Sequence, residues 1–246
     1  MKFLKNHPFS VQAFFESSVV LSFAIPVIQL QSLIPPCLEL DTYDDKWGFV
    51  AAAMVQTKAL RPKGFPKFLG NDFYLIGFRI FVRYISKTGK KYRGLYIIKS
   101  ETNKKKMAFF GNIFTHYNYN TTDINQSIEN NTRTLYSNKS KFNIQIEITD
   151  DHEEVQLPTN SPFDDWKTAR KFAGPLPFTF TYNEEEGSVL IIQGVRSNWK
   201  PKPIKIISYK IDFINQFDFK DMQLANAFEI RNIPYEWKKG RKEQWK

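Results

Sequence analysis

Residues 72–100 read DFYLIGFRIFVRYISKTGKKYRGLYIIKS, and this stretch predicts a long β-hairpin in the middle of a strand-rich chain. Aromatic and β-branched residues dominate its first arm, and such residues fit a pleated, half-buried surface. Because strand side chains alternate between two faces, one face is apolar and consists of Tyr74, Ile76, Phe78, Ile80, Val82 and Tyr84. The opposite face carries Phe73, Leu75, Gly77, Arg79, Phe81, Arg83 and Ile85.

The second face sets two arginines among large apolar side chains. A strand that is apolar on both faces usually lies between two layers or in the wall of a barrel. A charged group inside such a wall needs a partner or a ligand, because an unpaired buried charge is very costly. Arg79 is therefore the main candidate for a binding residue, whereas Arg83, close to the turn, is expected to face solvent.

The turn of the hairpin decides which side chains share the face of Arg79. A two-residue loop at residues 88–89 sets Tyr84 opposite Arg93, whereas a three-residue loop sets Arg83 opposite Arg93. Like charges directly opposite each other are destabilising, so the two-residue loop is predicted. In that register the neighbours of Arg79 on its face include Phe81, Tyr96 and Ile98.

The composition describes a globular chain with ample core material. Of the 246 residues, 42% are hydrophobic, 24% are charged and 16% are aromatic, which suits a sheet-based core with large side chains. No repeat and no Gly/Ser linker divides the chain, so one domain over residues 1–246 is expected. Its fold class is mainly β (α+β), with few helices, and the basic tail from about residue 229 is expected to be loosely held.

Cysteine and histidine usage argues against metal chemistry. The single cysteine, Cys37, excludes an internal disulfide and a cysteine-cluster metal site. The three histidines, His7, His116 and His152, are far apart and lack ligand spacing, so no metal site is expected. No phosphate loop, serine-hydrolase elbow or dinucleotide fingerprint occurs, and no cofactor is expected.

The apolar region at residues 19–30 is not predicted to be a signal peptide or a membrane span. It starts late, Glu16 precedes it, Pro26 interrupts it, and no small-residue cleavage site follows. It is also too short to cross a bilayer. A cytoplasmic protein without membrane association is expected.

The net charge of +10 raises the question of a nucleic-acid partner. Lysines cluster only at residues 104–106 and 238–242, and acidic runs at 150–154, 164–165 and 184–186 interrupt a continuous basic surface. Such lysine runs are usually solvated faces. A nucleic-acid partner is therefore disfavoured, and a homo-oligomer is compatible with the sequence.

Several short elements, in a fixed order, resemble those of an uncharacterised bacterial family in the acetoacetate decarboxylase-like superfamily. They are LIPPCLELD at residues 33–41, FRIFV at 78–82, RGLY at 93–96, the predicted helix at 166–172 and WKP at 199–201. The resemblance extends from Phe14 to about Tyr209. It implies a mostly antiparallel β-barrel with a central cavity and a few short flanking helices.

The same resemblance bears on chemistry. The decarboxylases of the superfamily form a Schiff base through a lysine with a lowered pKa, on the strand that follows a helix. The corresponding stretch here, GNIFTHYN at residues 111–118, contains no lysine, and Arg79 lies near the position of a catalytic glutamate. The lysines at 104–106 lie at the exposed start of a predicted helix over residues 104–114, where amines stay protonated.

Four residues are candidates for ligand binding. Arg79 is predicted either to hold a carboxylate through its guanidinium fork or to form an ion pair with a buried acid such as Glu39, Asp41 or Glu101. His116 has a pKa suited to acid–base work or hydrogen bonding, although a lone loop histidine is often simply exposed. Tyr96 and Trp199 are predicted to line the cavity, although large aromatics are commonly core residues.

Three hypotheses for function follow. The favoured one is a protein that binds a small carboxylate or keto-acid-like ligand in the barrel cavity without a Schiff-base lysine. The second is a lysine-independent enzyme, of lyase or hydrolase type, that acts on an oxo-acid substrate. The third is a basic module that binds nucleic acid or an acidic partner through the lysine clusters.

Overall fold

The computed structural model describes residues 2–150, 154–173 and 176–245, and most of them lie in β-strands. The strands are β1 (Val11–Pro26), β2 (Glu39–Leu40), β3 (Trp47–Pro62), β4 (Asn71–Ile85), β5 (Lys91–Thr102), β6 (Tyr119–Thr121), β7 (Asn125–Glu129), β8 (Thr132–Ser137), β9 (Phe142–Glu147), β10 (Phe178–Asn183), β11 (Ser188–Arg196), β12 (Lys202–Pro203), β13 (Ile206–Ile211), β14 (Gln223–Trp237) and β15 (Arg241–Gln244). The α-helices in this part of the chain are short: α1 (Val27–Leu30), α2 (Lys105–Phe114), α3 (Trp166–Phe172) and α4 (Asp212–Asn215). None of the helices described is long and apolar enough to cross a membrane.

Seven strands form a closed ring of backbone pairings in the order β1, β3, β4, β5, β10, β11 and β14. The ring closes because β14 pairs with β1 along one edge and with β11 along the other. Neighbouring strands in the ring are antiparallel, except that β10 runs parallel to β5. The mainly β class and the few short helices predicted from the sequence are confirmed.

A second, four-stranded antiparallel sheet (β13, β9, β8, β7) packs against the outside of the ring. Ile144 and Leu135 of this sheet belong to the same buried cluster as Ile76 and Ile80, which lie on the apolar face of β4. The main core therefore lies between the two sheets, and the other face of β4 is directed to the inside of the ring.

One buried ion pair also connects the two sheets. Arg133 on β8 donates from Nη1 to Oε1 of Glu229 on β14 at 2.8 Å, and the same oxygen accepts a hydrogen bond from Ser17. Burial alone would raise the pKa of Glu229, but the hydrogen bonds from Arg133 and Ser17 and the charges of Arg133 and Arg231 outweigh it and lower the pKa. The carboxylate is thus held in its charged form between the layers.

The predicted hairpin register is wrong. Strands β4 and β5 place Arg83 opposite Arg93, and the turn is a three-residue loop with Gly89 at φ 79°. The two arginines tolerate this position because Asp41 lies between them. Its carboxylate is 2.7 Å from Arg93 and 3.7 Å from Arg83, so an opposite charge offsets the repulsion.

The expectation of a loosely held tail is also wrong. Beyond residue 229 the chain continues β14 as far as Trp237 and then forms β15, which pairs with β11. Ile230 and Ile233 are buried in this segment, so apolar burial and two ladders of backbone hydrogen bonds fix it. The expectation rested on the lysines of this segment. Lys238 and Lys239 lie between the two strands, and Lys242 is at an exposed position of β15.

Candidate functional site

A cavity of about 550 Å³ lies inside the ring of seven strands. Every strand of the ring contributes side chains to its wall, among them Phe15, Val55, Leu75, Ile97, Thr179, Arg196 and Ile230. Four exposed apolar side chains mark its mouth, namely Phe9, Phe65, Leu69 and Phe110. At the opposite end the lining residues Phe81, Leu176 and Phe228 are buried.

Arg79 projects into this cavity from the middle of β4. A bulge follows Phe78, and Arg79 then pairs with Ala51 of β3, whose small side chain leaves room beside it. The guanidinium lies over Gly77, where an added Cβ would come within 3.1 Å of Nη2. Burial among apolar groups lowers the pKa of Arg79 from its ordinary value. The glycine and the alanine thus create the space that this side chain fills.

No carboxylate neutralises Arg79 among the residues that the structure describes. Asp41 is bound to Arg93 at 2.7 Å, and Glu101 is paired with a lysine at 3.1 Å. Glu39 is exposed, and it lies opposite Arg83 rather than Arg79. None of the three acids considered from the sequence pairs with Arg79, and no described Asp or Glu lines the cavity. The half-buried positive charge of Arg79 therefore faces the cavity without a carboxylate partner among the described residues.

Three tyrosines of the cavity wall lie near enough to Arg79 to interact with its charge. Tyr117 and Tyr119 come from the segment that follows α2, and Tyr235 comes from β14; all three interact electrostatically with Arg79. Burial raises the pKa of Tyr119 to about 12, and it raises the pKa of Tyr117 still further. These two phenols are therefore neutral near pH 7 and can donate hydrogen bonds into the cavity.

Arg196 adds a second cation at the end of β11. Its guanidinium carbon lies 4.0 Å from the centre of the Trp199 ring, a cation–π distance. Burial lowers the pKa of Arg196, and the nearby charge of Arg79 lowers it too.

One buried donor in the cavity wall, Nε1 of Trp199, has no acceptor within the described chain. Nη2 of Arg196 and the hydroxyl of Tyr117 are shielded too and make no hydrogen bond of standard geometry there, although they interact with Tyr235 and Thr179, respectively. Buried polar groups in proteins are normally paired, so an unpaired donor in the wall of a cavity indicates a missing acceptor. Two guanidinium groups, an indole N–H and a phenol together complement an oxyanion.

The structure brings together two of the four residues singled out from the sequence. Arg79 and Trp199 line the same cavity. His116 is half-buried outside the cavity wall, with Nε2 3.4 Å from Oδ1 of Asn6, and burial lowers its pKa. Tyr96 faces the opposite side of β5 and packs against the main core, so it does not share the face of Arg79.

The sequence did not single out Arg196 or the three tyrosines. A signal for Arg196 exists, because it follows Gly194 at the same spacing as Arg79 follows Gly77. Both glycines make room on the cavity face of their strand because they have no side chain. Gly77 leaves space for Arg79, and Gly194 leaves space for Tyr235.

The described residues contain no group of three or more His, Cys, Asp or Glu side chains that could hold a metal ion. His7 lines the cavity near the mouth, and His152 lies outside the described residues. Lys106 is the lysine in the cavity wall, and it is exposed at the rim. The site therefore offers cationic and neutral donors rather than a buried amine.

A family model for DUF2071, described as an uncharacterised conserved protein, matches residues 13–229. A comparison with functionally curated proteins gives no match.

Solved structures share the fold at low sequence identity. An acetoacetate decarboxylase from Legionella pneumophila superposes with a TM-score of 0.62 and 11% identity, over 95% of this chain and 87% of its own. An acetoacetate decarboxylase-like enzyme from Sphingomonas wittichii RW1 gives 0.56 and 10%, over 99% and 94%. The enduracididine biosynthesis enzyme MppR, complexed with pyruvate, gives 0.55 and 8%, over 97% and 92%. These similarities show an acetoacetate decarboxylase-like fold, and fold alone does not assign function.

Proposed function

The chain belongs to the DUF2071 family of uncharacterised conserved proteins, and we propose that its cavity binds a small carboxylate or keto-acid-like ligand through Arg79. The observation that carries the proposal is a half-buried arginine that lines a largely apolar cavity and has no carboxylate partner among the described residues. A carboxylate ligand supplies the missing charge and matches the planar guanidinium with two parallel hydrogen bonds.

The neighbours of Arg79 support the same ligand class. Arg196 adds positive charge, and the indole N–H of Trp199 and the hydroxyl of Tyr117 can donate hydrogen bonds to further oxygens of the ligand. A keto oxygen beside the carboxylate is one such acceptor. MppR, a structural neighbour, was solved with pyruvate, a keto acid of this kind.

Binding in this cavity is proposed to proceed without a Schiff-base lysine. Lys106 is exposed at the rim, where an amine remains protonated near neutral pH and is a poor nucleophile. The segment after α2, on which the superfamily's decarboxylases carry their lysine, instead presents Tyr117 and Tyr119 toward Arg79. Hydrogen-bonding phenols thus take the place of a reactive amine.

Isothermal titration calorimetry with pyruvate and with its uncharged methyl ester tests the proposal. We expect pyruvate to bind and the ester to bind much more weakly. Arg79→Ala should weaken pyruvate binding by at least about tenfold, since a hydrogen bond to a charged group contributes roughly 1.5–3 kcal/mol. Arg170→Ala, at an exposed position of α3 that does not line the cavity, removes the same charge and should leave binding unchanged.

The proposal fails if neither pyruvate nor a longer carboxylate binds the wild-type protein. It also fails if Arg79→Ala binds such a ligand as tightly as the wild type while its circular dichroism spectrum is unchanged.

A further inference from the structure

We infer that the ligand of this cavity is an amphipathic anion, with an extended apolar tail between its head group at Arg79 and the mouth. The inference rests on the proposed function, because Arg79 is taken to hold the head group, but it makes a separate claim about the rest of the ligand.

The size of the cavity is the first argument. Its volume of about 550 Å³ falls within the roughly 300–1,000 Å³ that is typical of pockets for drug-sized ligands. A three-carbon keto acid occupies only a small part of such a space. The remaining volume must hold either water or more of the ligand, and the character of the wall decides between them.

The wall between Arg79 and the mouth is largely apolar. The guanidinium lies over Gly77, and Phe73, four residues back along β4, lies roughly 13 Å nearer the mouth at the usual rise of a strand. Phe73, Leu75 and, on the adjacent strand, Val55 line this passage. Water in a passage of this kind finds few hydrogen-bond partners, whereas a hydrocarbon chain fits it.

The mouth of the passage has the same apolar character. Phe65 and Leu69 are 53% and 52% exposed, and Phe110 of α2 is 42% exposed, although all three line the cavity. Exposed apolar groups concentrated at one opening mark a binding site better than single exposed side chains elsewhere. Lys106 lies at the same rim, and its charge attracts anions toward the entrance.

Among the described residues, the opposite end of the cavity does not offer a comparable exit. Phe81, Leu176 and Phe228, which line it there, are 3%, 7% and 5% exposed. A ligand that enters through the open mouth therefore places its head group at Arg79 and leaves its tail in the passage behind it.

Binding of saturated carboxylates of increasing length tests this inference. Acetate, hexanoate and decanoate are titrated into the 246-residue protein by calorimetry, with decanol as the uncharged probe. We expect affinity to rise by roughly fourfold for each methylene that enters the passage, which corresponds to the usual transfer free energy of that group. Decanol should bind far more weakly than decanoate, because it lacks the charge that pairs with Arg79.

A variant that narrows the passage gives an independent test. Val55→Phe adds a ring in the space proposed for the tail, and it should weaken decanoate binding by at least about tenfold while acetate binding is retained. Retained acetate binding also shows that the variant is folded. Phe110→Ser, at the exposed rim, should weaken decanoate binding by a few-fold without any effect on acetate.

The outcomes separate the two claims. If pyruvate and acetate bind through Arg79 but affinity does not rise with chain length, the amphipathic ligand is ruled out and the proposed function stands. If decanol binds as tightly as decanoate, the cavity is a site for neutral apolar molecules, and both claims fail. If no carboxylate of any length binds, both claims fail as well.

Discussion

Replacing Arg79 by methionine should make the ligand-free protein more stable. The guanidinium is half-buried against the apolar wall of the cavity, and this partial burial lowers its pKa, so the folded protein carries the cost of a partly desolvated charge. Methionine keeps an unbranched stem of similar length and removes that charge. This substitution is therefore expected to separate the binding role of Arg79 from a structural role.

The magnitude follows from related substitutions. Replacing buried ionic groups by apolar groups of similar volume is neutral or stabilising by about 1–4 kcal/mol. Because Arg79 has no carboxylate partner among the described residues, no salt bridge is lost on substitution. We expect a gain of about 1–3 kcal/mol, which for a chain of this size raises Tm by roughly 2–12 °C.

Thermal melts followed by circular dichroism in Tris chloride, free of carboxylates and phosphate, measure the effect. Arg170→Met serves as the matched control, because this exposed arginine should change stability by no more than about 0.5 kcal/mol. Addition of a carboxylate ligand should then reverse the order of the wild type and Arg79→Met. At one thousand times its Kd, the ligand stabilises only the protein that binds it, by about 4.1 kcal/mol, which exceeds the expected gain.

One result would refute this reasoning. If Arg79→Met lowers stability by more than about 1 kcal/mol in ligand-free buffer while Arg170→Met does not, then Arg79 makes stabilising contacts in the folded protein. In that case the arginine is a structural residue, and its burial carries no information about a ligand.

Three further predictions follow from the same contacts. Gly77→Ala should leave stability nearly unchanged but weaken anion binding by about tenfold in calorimetry. The new methyl group displaces the guanidinium of Arg79 by a few tenths of an ångström. Unchanged affinity would show that the position of the guanidinium is not critical. Stability measured by urea titration should fall as the pH drops below about 6.5, because burial lowers the pKa of His7, so that the unfolded chain takes up the proton first. His7→Gln should make that loss smaller, and an equal loss in both proteins would contradict the assignment. Gly94→Ala should destabilise the fold by at least about 2 kcal/mol, since a Cβ there collides with the backbone carbonyl of Phe178 where β5 pairs with β10; a wild-type urea midpoint would contradict this close approach.

The side chains of the central strand could be predicted because they depend only on local alternation. The period of two along β4 places Arg79 on the face with Phe73, Leu75 and Phe81, and the structure has all four in the cavity wall. The hairpin register depends in addition on Asp41. This residue accepts a hydrogen bond from Arg93, although it lies 52 residues earlier in the chain. The rule that like charges should not face each other across a hairpin considers only the two strands, so it could not include that carboxylate.

The rest of the site depends on how the ring closes. Arg196 and Tyr235 meet because β11 pairs with β14 after β10 has joined β5 in parallel, and neither pairing has a local sequence pattern. The order of the tail cannot be predicted from its sequence for a similar reason. Its lysines suggest a solvated segment, whereas its order comes from backbone pairing with strands that lie far away in the sequence.

The most direct test of the central claim is a crystal structure of the protein grown with decanoate. The account predicts electron density for the carboxylate within about 3 Å of the guanidinium nitrogens of Arg79, as in other bidentate pairs, with the alkyl chain directed toward Phe73 and the mouth. Density for the ligand elsewhere, or an Arg79 that forms an ion pair with an acidic side chain of the protein, would contradict it.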